Sequence, residues 1–403
     1  MSAGAPAIAV LGAGIGGLAA ALFLSRAGFP VTLIEKRTRV EEEGAGLQLS
    51  PNASHILIAA GLGPALARRA SAPERIRIRN ARTAREIATI PLGDQARKRY
   101  GAPYLVIHRA DLAGLLLDAV RGEQRIQLLY GREAHGCTQR AESIAIALRS
   151  ERGAISELEF AAAIAADGLW SGLTGETPPR FSGFAAWRAL LPAASAPALA
   201  LSDEVGLWLA PQAHLVHYPV RDGKAVNIVA VVKEMAAQEG WSRQGDPTLI
   251  RSALAGWSTE ARQLIGAAPD WRSWSLFDRK PRRRWGSGSL TLLGDAAHAM
   301  LPFLAQGAAM AIEDAAVLAR ELAPLSSGGT GREIGTALRR YERARRARTA
   351  RAQQQARRNM FSYHAPWPFG SVRDTILRRS SGERLLARYD WLYGWRVDAG
   401  PPR

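Results

Sequence analysis

With 403 residues, 47% of them hydrophobic, the chain can form two domains or one large domain with an insertion, and wholesale disorder is excluded. Its one cysteine, Cys137, excludes an intrachain disulfide and two-cysteine metal motifs, gives an oxidising compartment no support, and reads as a small buried hydrophobe. The formal net charge of +17 is mostly Arg and is densest from Arg339 to Arg358, but those positions spread around a helix without any zinc-finger, RNP or helix-turn-helix signature, so a solvated helix and attraction of small anions are expected rather than nucleic-acid binding.

The first element is an apolar strand, Ala7 to Leu11. It enters Gly12-Ala13-Gly14-Ile15-Gly16-Gly17, then an Ala/Leu-rich helix to Leu24, then a strand Val31 to Glu35. Gly12 permits the tight turn, Gly14 lets a pyrophosphate approach the backbone, and Gly17 lets helix and strand pack closely. The helix start offers free N–H groups to phosphate, and Glu35 is spaced to accept from a ribose diol. This is a dinucleotide-binding βαβ unit. Residues 7–24 are apolar, but no Lys or Arg precedes them and glycines interrupt them, so neither a leader nor a membrane span is expected and the chain reads as soluble.

A glycine-rich loop follows from Gly44 and Ala45 to Asn52, and a helix is predicted from Ser50–Ala53 through Leu62. Arg75-Ile-Arg-Ile-Arg79 alternates as a strand with one polar face. Tyr104–Ile107 is a strand leading to His108-Arg109, after which Leu112, Leu115, Leu116 and Ala119 take helical spacing. Residues 125–165 carry more strands and end at Asp167-Gly168. From Ser182 to Ser275 alternating strands rich in Trp, His and Tyr predict a separate antiparallel sheet. A buried strand at 285–293 leads to Gly294-Asp295-Ala-Ala-His298; a helix over 306–322, a break at 326–331 and an Arg-rich helical remainder complete the chain. The fold class expected is α/β: a Rossmann-like domain with an inserted mixed or antiparallel sheet and a helical C-terminus.

Three pieces in order, the Gly12 fingerprint, Asp167-Gly168 and Gly294-Asp295, together with Arg109, resemble the single-component FAD-dependent aromatic hydroxylases. The resemblance spans residue 7 to Trp395 and includes Ala186-Trp187-Arg188 and Arg388-Tyr389-Asp390-Trp391-Leu392-Tyr393. It is nearest to the branch containing 3-hydroxybenzoate 6-hydroxylase, 6-hydroxynicotinate 3-monooxygenase and salicylate hydroxylase. It implies an FAD-binding domain from 1–72, 100–178 and 279–345, a substrate-binding sheet domain from 73–99 and 179–278, and a C-terminal helical segment 346–403. It also implies FAD as cofactor, NADH or NADPH as a transient co-substrate, and O2, with a small aromatic acid hydroxylated through a flavin C4a-hydroperoxide. A cytoplasmic homodimer is the form expected, without nucleic-acid or metal partners.

Residue by residue, the resemblance implies that Glu35 holds the adenosine ribose, Arg109 lies by the pyrophosphate or ribityl chain, and Asp295 binds ribityl hydroxyls. Gln306, Gly307 and Ala308 open a helix whose N–H groups face the flavin pyrimidine, where a positive helix end stabilises the reduced anion. Read alone, Asp295 also suits an ordinary helix N-cap. In a strand, 214, 216 and 218 share a face, so His214 and Tyr218 point one way and His217 the other. The resemblance makes His214 the base or phenol-orienting group, Tyr218 a carboxylate or ring contact and Gln306 a polar partner; residues alone allow His214 to be an ordinary sheet histidine. His217 reads as structural, and His298 suits packing or chemistry equally. The chain departs from the family pattern at Thr174, where Arg is usual, and at Ala299, where Pro is usual; the first leaves a role of Asp167 toward NAD(P)H open. No second Gly-x-Gly-x-x-Gly and no Cys-x-x-x-x-Cys pair occur, which argues against disulfide reductases. A hydroxylase or oxidase of a larger polycyclic substrate is the alternative enzyme, and a flavin-binding regulator the alternative outside catalysis.

Overall fold

The computed structural model describes residues 5–39, 46–173, 178–237 and 242–398; Gly44, Ala45 and Thr174 lie outside them. A five-stranded parallel sheet runs in the order Leu290–Leu292, Ala162–Ala165, Ile8–Leu11, Val31–Glu35, Ile126–Tyr130. Its central strands are apolar at every position because helices cover them. Helix Ile15–Arg26 is buried almost all round, packed between helices Arg109–Arg121 and Gly307–Leu322. A three-stranded antiparallel sheet, Arg132–Gln139, Ile144–Ser150 and Ile155–Phe160, flanks it, and Cys137 on its edge strand is half-buried, not fully buried as expected.

The other large sheet has eight strands: Arg243–Gly245, Trp271–Asp278, Arg180–Pro192, Ala225–Lys233, Ala213–Val220, Glu204–Ala210, Arg75–Asn80, Glu86–Pro91. It is antiparallel except where Glu204–Ala210 runs parallel to Arg75–Asn80. One face packs Trp187, Trp208, Leu215, Ile228 and Trp271 against Ile250, Trp257 and Leu264. Ile250 and Leu264 sit on helices Pro247–Ala253 and Thr259–Ala267, which alternation did not predict, and Trp257 lies in the turn between them. Their signals are local caps: Asp246 before Pro247, and Ser258 accepting from the Ala261 N–H. The other face carries Val205, Leu207, Tyr218 and Val231 toward Phe303, Ala352 and Tyr393.

Boundaries differ from expectation in two places. The strand predicted over 285–293 is Leu290–Leu292, because Ser287 accepts from the Leu290 N–H in a turn and Gly286 lies against the Leu290 carbonyl. The helix predicted to Leu62 is regular only over Pro51–Leu57; Gly61, with φ +75°, kinks it before Gly63–Ala67.

The long helix Gly331–Tyr363, started by a Thr330–Glu333 capping box, departs from a simply solvated arginine helix. Arg345 is fully buried, paired to Glu313 and Asp314 at 2.7 Å each, and Arg348 pairs with Glu313 at 2.6 Å. The carboxylates come from the adjacent helix Gly307–Leu322, so the partners are invisible to local spacing.

Candidate active site

At the first strand's end, Gly12 has φ +104°, and a Cβ there would lie 2.6 Å from the Ala166 carbonyl oxygen. A Cβ on Gly17 would lie 1.8 Å from the Gly12 carbonyl oxygen, so both positions exclude any other residue. Helix Ile15–Arg26 begins at Gly14 with no side-chain cap, which leaves its first N–H groups for an anion. Glu35 accepts from the Ala13 N–H at 2.7 Å and the Arg37 N–H at 3.0 Å, and so fixes the turn while retaining acceptor capacity. Beyond it opens a basic groove of about 780 Å³, lined by Lys36, Arg37, Arg39 and Arg149 among others. This cradle fits the pyrophosphate and adenosine half of FAD.

A second uncapped start belongs to helix Gly307–Leu322, entered through Ala305 at φ +53°. Asp295 is exposed there, its Oδ1 3.9 Å from where a Gly307 Cβ would be, so Asp295, Gly307 and Ala308 come together. Gln306 is 2% exposed and its amide is already taken: it donates to Ser50 Oγ at 2.8 Å and accepts from Asn52 at 3.2 Å. Gln306, expected as a polar partner on the flavin side, thus belongs to a polar knot in which Asn52 also donates to Glu313 at 2.6 Å. The turn is anchored from below by Asp314, which accepts from the Gly294 N–H at 3.0 Å, from Arg345 at 2.7 Å and pairs with His298 at 2.5 Å. Burial acts to raise the Asp314 pKa, but His298 and Arg345 overcome it and hold it below the ordinary carboxylate value. His298 is therefore a fully enclosed anchor of this turn. Asp167, next to the Gly12 turn, is pushed up by burial.

His214 and Tyr218 share the sheet face toward Phe303, and His217 turns to the tryptophan face beside Trp208. His214 Nδ1 lies 2.8 Å from His364 Nε2, while its own Nε2 has no partner among the described residues. Burial, then His364, holds the His214 pKa well below 6.5, so the ring is neutral. Tyr218 is 3% exposed; burial pushes its hydroxyl pKa up, and it hydrogen-bonds Gln48, which Tyr104 also reaches. Gly46 makes room for it: a Cβ there would be 2.4 Å from the Tyr218 ring.

The sheet register adds what sequence reasoning did not assign. Arg188 pairs with Val229, and Val229 with Val216, so the three form one row flanked by His214 and Tyr218. Within the otherwise buried Ala213–Val220 strand only Val216 is half-buried, and in Ala225–Lys233 only Val229 is, apart from the terminal Lys233. The row is therefore the floor of a recess. Its walls include Tyr363 and His364, brought by the C-terminal helix, with His364 stacked on Phe184 at 4.4 Å. Arg109, at the start of helix Arg109–Arg121, is close enough for its charge to depress the Arg188 pKa. The arrangement joins a phosphate cradle, a second positive helix end and an apolar recess with a neutral imidazole.

The FAD binding domain family matches residues 6–356. The chain is 36% identical to 3-hydroxybenzoate 6-hydroxylase 1 of Aquipseudomonas alcaligenes, over 96% of this chain and 97% of the relative. It is 38% identical to a 3-amino-4-hydroxybenzoate 2-monooxygenase of Streptomyces platensis, over 97% and 96%. A salicylate hydroxylase solved as a substrate complex superimposes with TM-score 0.80 at 26% identity, over 98% and 96%.

Proposed function

Because the chain belongs to the FAD-dependent aromatic hydroxylases, we propose that it uses NAD(P)H and O2 to hydroxylate a phenolic aromatic or N-heteroaromatic carboxylate. The observation that carries the reading is the pair His214 and Tyr218 on one sheet face, bordering a recess enclosed by Phe303 and Tyr363. Bound FAD, once reduced by NAD(P)H, supplies the activated oxygen. In this reading Gly12, Gly14 and Gly17 receive the pyrophosphate, Glu35 the ribose, and Arg109 and Asp295 the ribityl side. The N–H groups at Gly307 and Ala308 stabilise negative charge on the reduced ring. Gln306 is a positioning residue that ties the start of this helix to Ser50 and Asn52.

His214 does the proton work. Its neutral ring accepts the hydrogen bond of a phenol at Nε2, and deprotonation makes the ring more electron-rich. The Nδ1 contact with His364 holds the imidazole in plane for that task. Tyr218 supports the ring of the substrate, and the surrounding apolar walls exclude water. The division into 1–72, 100–178 and 279–345 for cofactor and 73–99 and 179–278 for substrate belongs to the same proposal, as does a cytoplasmic homodimer; among the described residues no helix is long and apolar enough to cross a membrane.

The test is a panel of hydroxybenzoates, salicylate and hydroxynicotinates, scored by NAD(P)H oxidation and by the product formed. A hydroxylated acid carrying one atom from O2 is the expected result. NAD(P)H consumption yielding only hydrogen peroxide with every acid would sink the reading, and sedimentation as a monomer would remove the dimer.

A further inference from the structure

The recess contains a cation without a counter-ion. Arg188 is central in the strand Arg180–Pro192, on the face that carries His214 and Tyr218. Its guanidinium lies 3.7 Å from the Trp274 ring centroid, which supports one flat side. Its Nε is buried without a hydrogen-bond partner, and no carboxylate among the described residues pairs with it. Elsewhere the buried arginine Arg345 is matched by two carboxylates, so this omission is local. A second donor on the same face is also orphaned: Asn227 is fully buried, its Oδ1 accepts from the Gly46 N–H at 2.7 Å, and its Nδ2 has no partner among the described residues.

A half-buried guanidinium whose Nε is enclosed without a partner is costly unless an anion joins it. Burial, and then the neighbouring Arg109 charge, lower its pKa to about 9, so it is still charged at neutral pH. The floor between Arg188 and the His214–Tyr218 strand is Val229 and Val216, two half-buried apolar side chains. Two strand spacings, about 10 Å from Cα to Cα, separate Arg188 from Val216, and the side chains at both ends shorten the gap. The space therefore takes one flat ring, anionic at the Arg188 end and phenolic at the His214 end.

We propose that Arg188 is the counter-ion of the substrate's carboxylate and sets the ring's direction in the recess. This rests on reading the site as that of an aromatic-acid hydroxylase, and it gives the carboxylate a partner other than Tyr218. Arg188 then selects single-ring acids over neutral analogues, and it places the ring position opposite the carboxylate end near His214.

The holoenzyme, as wild type, R188K and R188Q, is titrated with benzoate, 3-hydroxybenzoate and 3-hydroxybenzamide, following the flavin absorbance. R188Q is expected to weaken both acids ~100-fold and R188K roughly tenfold, because Lys keeps the charge but loses the fork. The carboxamide should bind all three proteins weakly and alike. Equal losses for acid and amide, unchanged acid binding by R188Q, or no benzoate binding by the wild type would each overturn the assignment. The ligand-free flavin midpoint potential is measured alongside: a fall in R188Q with acid affinity intact assigns Arg188 to the flavin and overturns the proposal. If R188Q fails to hold FAD, the acid-against-amide contrast in R188K decides. No turnover is needed, so failure of the hydroxylase reading in the product assay is seen separately.

Discussion

His214 and His217 stand three residues apart on one strand, both almost fully buried, and they meet opposite surroundings. Around His217 the sheet face is filled by Trp187, Trp208 and Trp271 and closed by two capped helices. Among the described residues neither ring nitrogen of His217 has a hydrogen-bond partner, and a Cβ on Gly206 would sit 2.0 Å from its Nε2. Around His214 the face instead has a recess, an orphaned Arg188, an orphaned Asn227 amide and a second imidazole. The same alternating strands thus produce one face optimised for packing and one that leaves polar capacity open. Among the described residues unpartnered polar groups lie on both faces, the His217 ring nitrogens and the Trp187, Trp208 and Trp271 Nε1 atoms on the packed one; what distinguishes Arg188 and Asn227 is that they border the half-buried Val216–Val229 row, where a ligand can reach them.

The difference can be broken first on the packed side. Trp271→Ala removes a fully buried ring and should cost about 3–5 kcal/mol of stability, read as a fall in Tm, while kcat at low temperature stays near wild type. A comparable loss of kcat in the folded protein would mean that the two faces are not independent. On the open side the balance should invert. His214→Ala should retain bound yellow flavin and melt within a few degrees of wild type, but lose hydroxylation roughly a hundredfold, about 2.7 kcal/mol in the barrier. Unchanged product formation would remove His214 from the chemistry.

The smallest effect is expected from titration. Burial, then Arg79, lowers the His217 pKa to about 3. The unfolded chain takes up that proton near pH 6.5 and the folded chain only near 3, so stability is complete above about 6.5 and falls as the pH drops through that window. Between pH 7 and 5 the loss from this one group is about 2 kcal/mol. His217→Leu removes it, so chemical unfolding of the variant should show a shallower acid-side decline. An identical slope in both proteins would show that the face admits a protonated imidazole.

The comparison also explains what the sequence could announce. The Gly12-to-Glu35 unit is local, and each of its requirements, a positive φ at Gly12 or the missing Cβ at Gly17, falls within a few residues. The opposite directions of His214 and His217 follow from the two-residue period of a strand. What stayed hidden is long-range. His364 meets His214 across 150 positions, Arg345 finds Asp314 across 31, and Arg188 reaches the row of Val216 only through the register of an intervening strand. The helices at 247–253 and 259–267 were hidden for another reason: they are short and interrupt a stretch dominated by alternation. Gln306 was visible as a site residue, but the knot with Ser50 and Asn52 that takes up its amide was not.

The 33-residue helix Gly331–Tyr363 links the two halves of this picture as a ruler does. Arg345 is a fixed mark near its middle, locked to the helix that bears the cofactor-side turn, and His364 is the reading at its tip. About 28 Å of rigid rise separates them. One residue inserted after Thr349 would leave the Arg345 and Arg348 locks in place, advance the tip by about 1.5 Å and swing it by about 100°. The phosphate cradle would be untouched while His214 lost its neighbour. The spacing between these marks is thus a heritable length, and insertions or deletions in this surface-running helix should be as damaging to the recess as substitutions inside it.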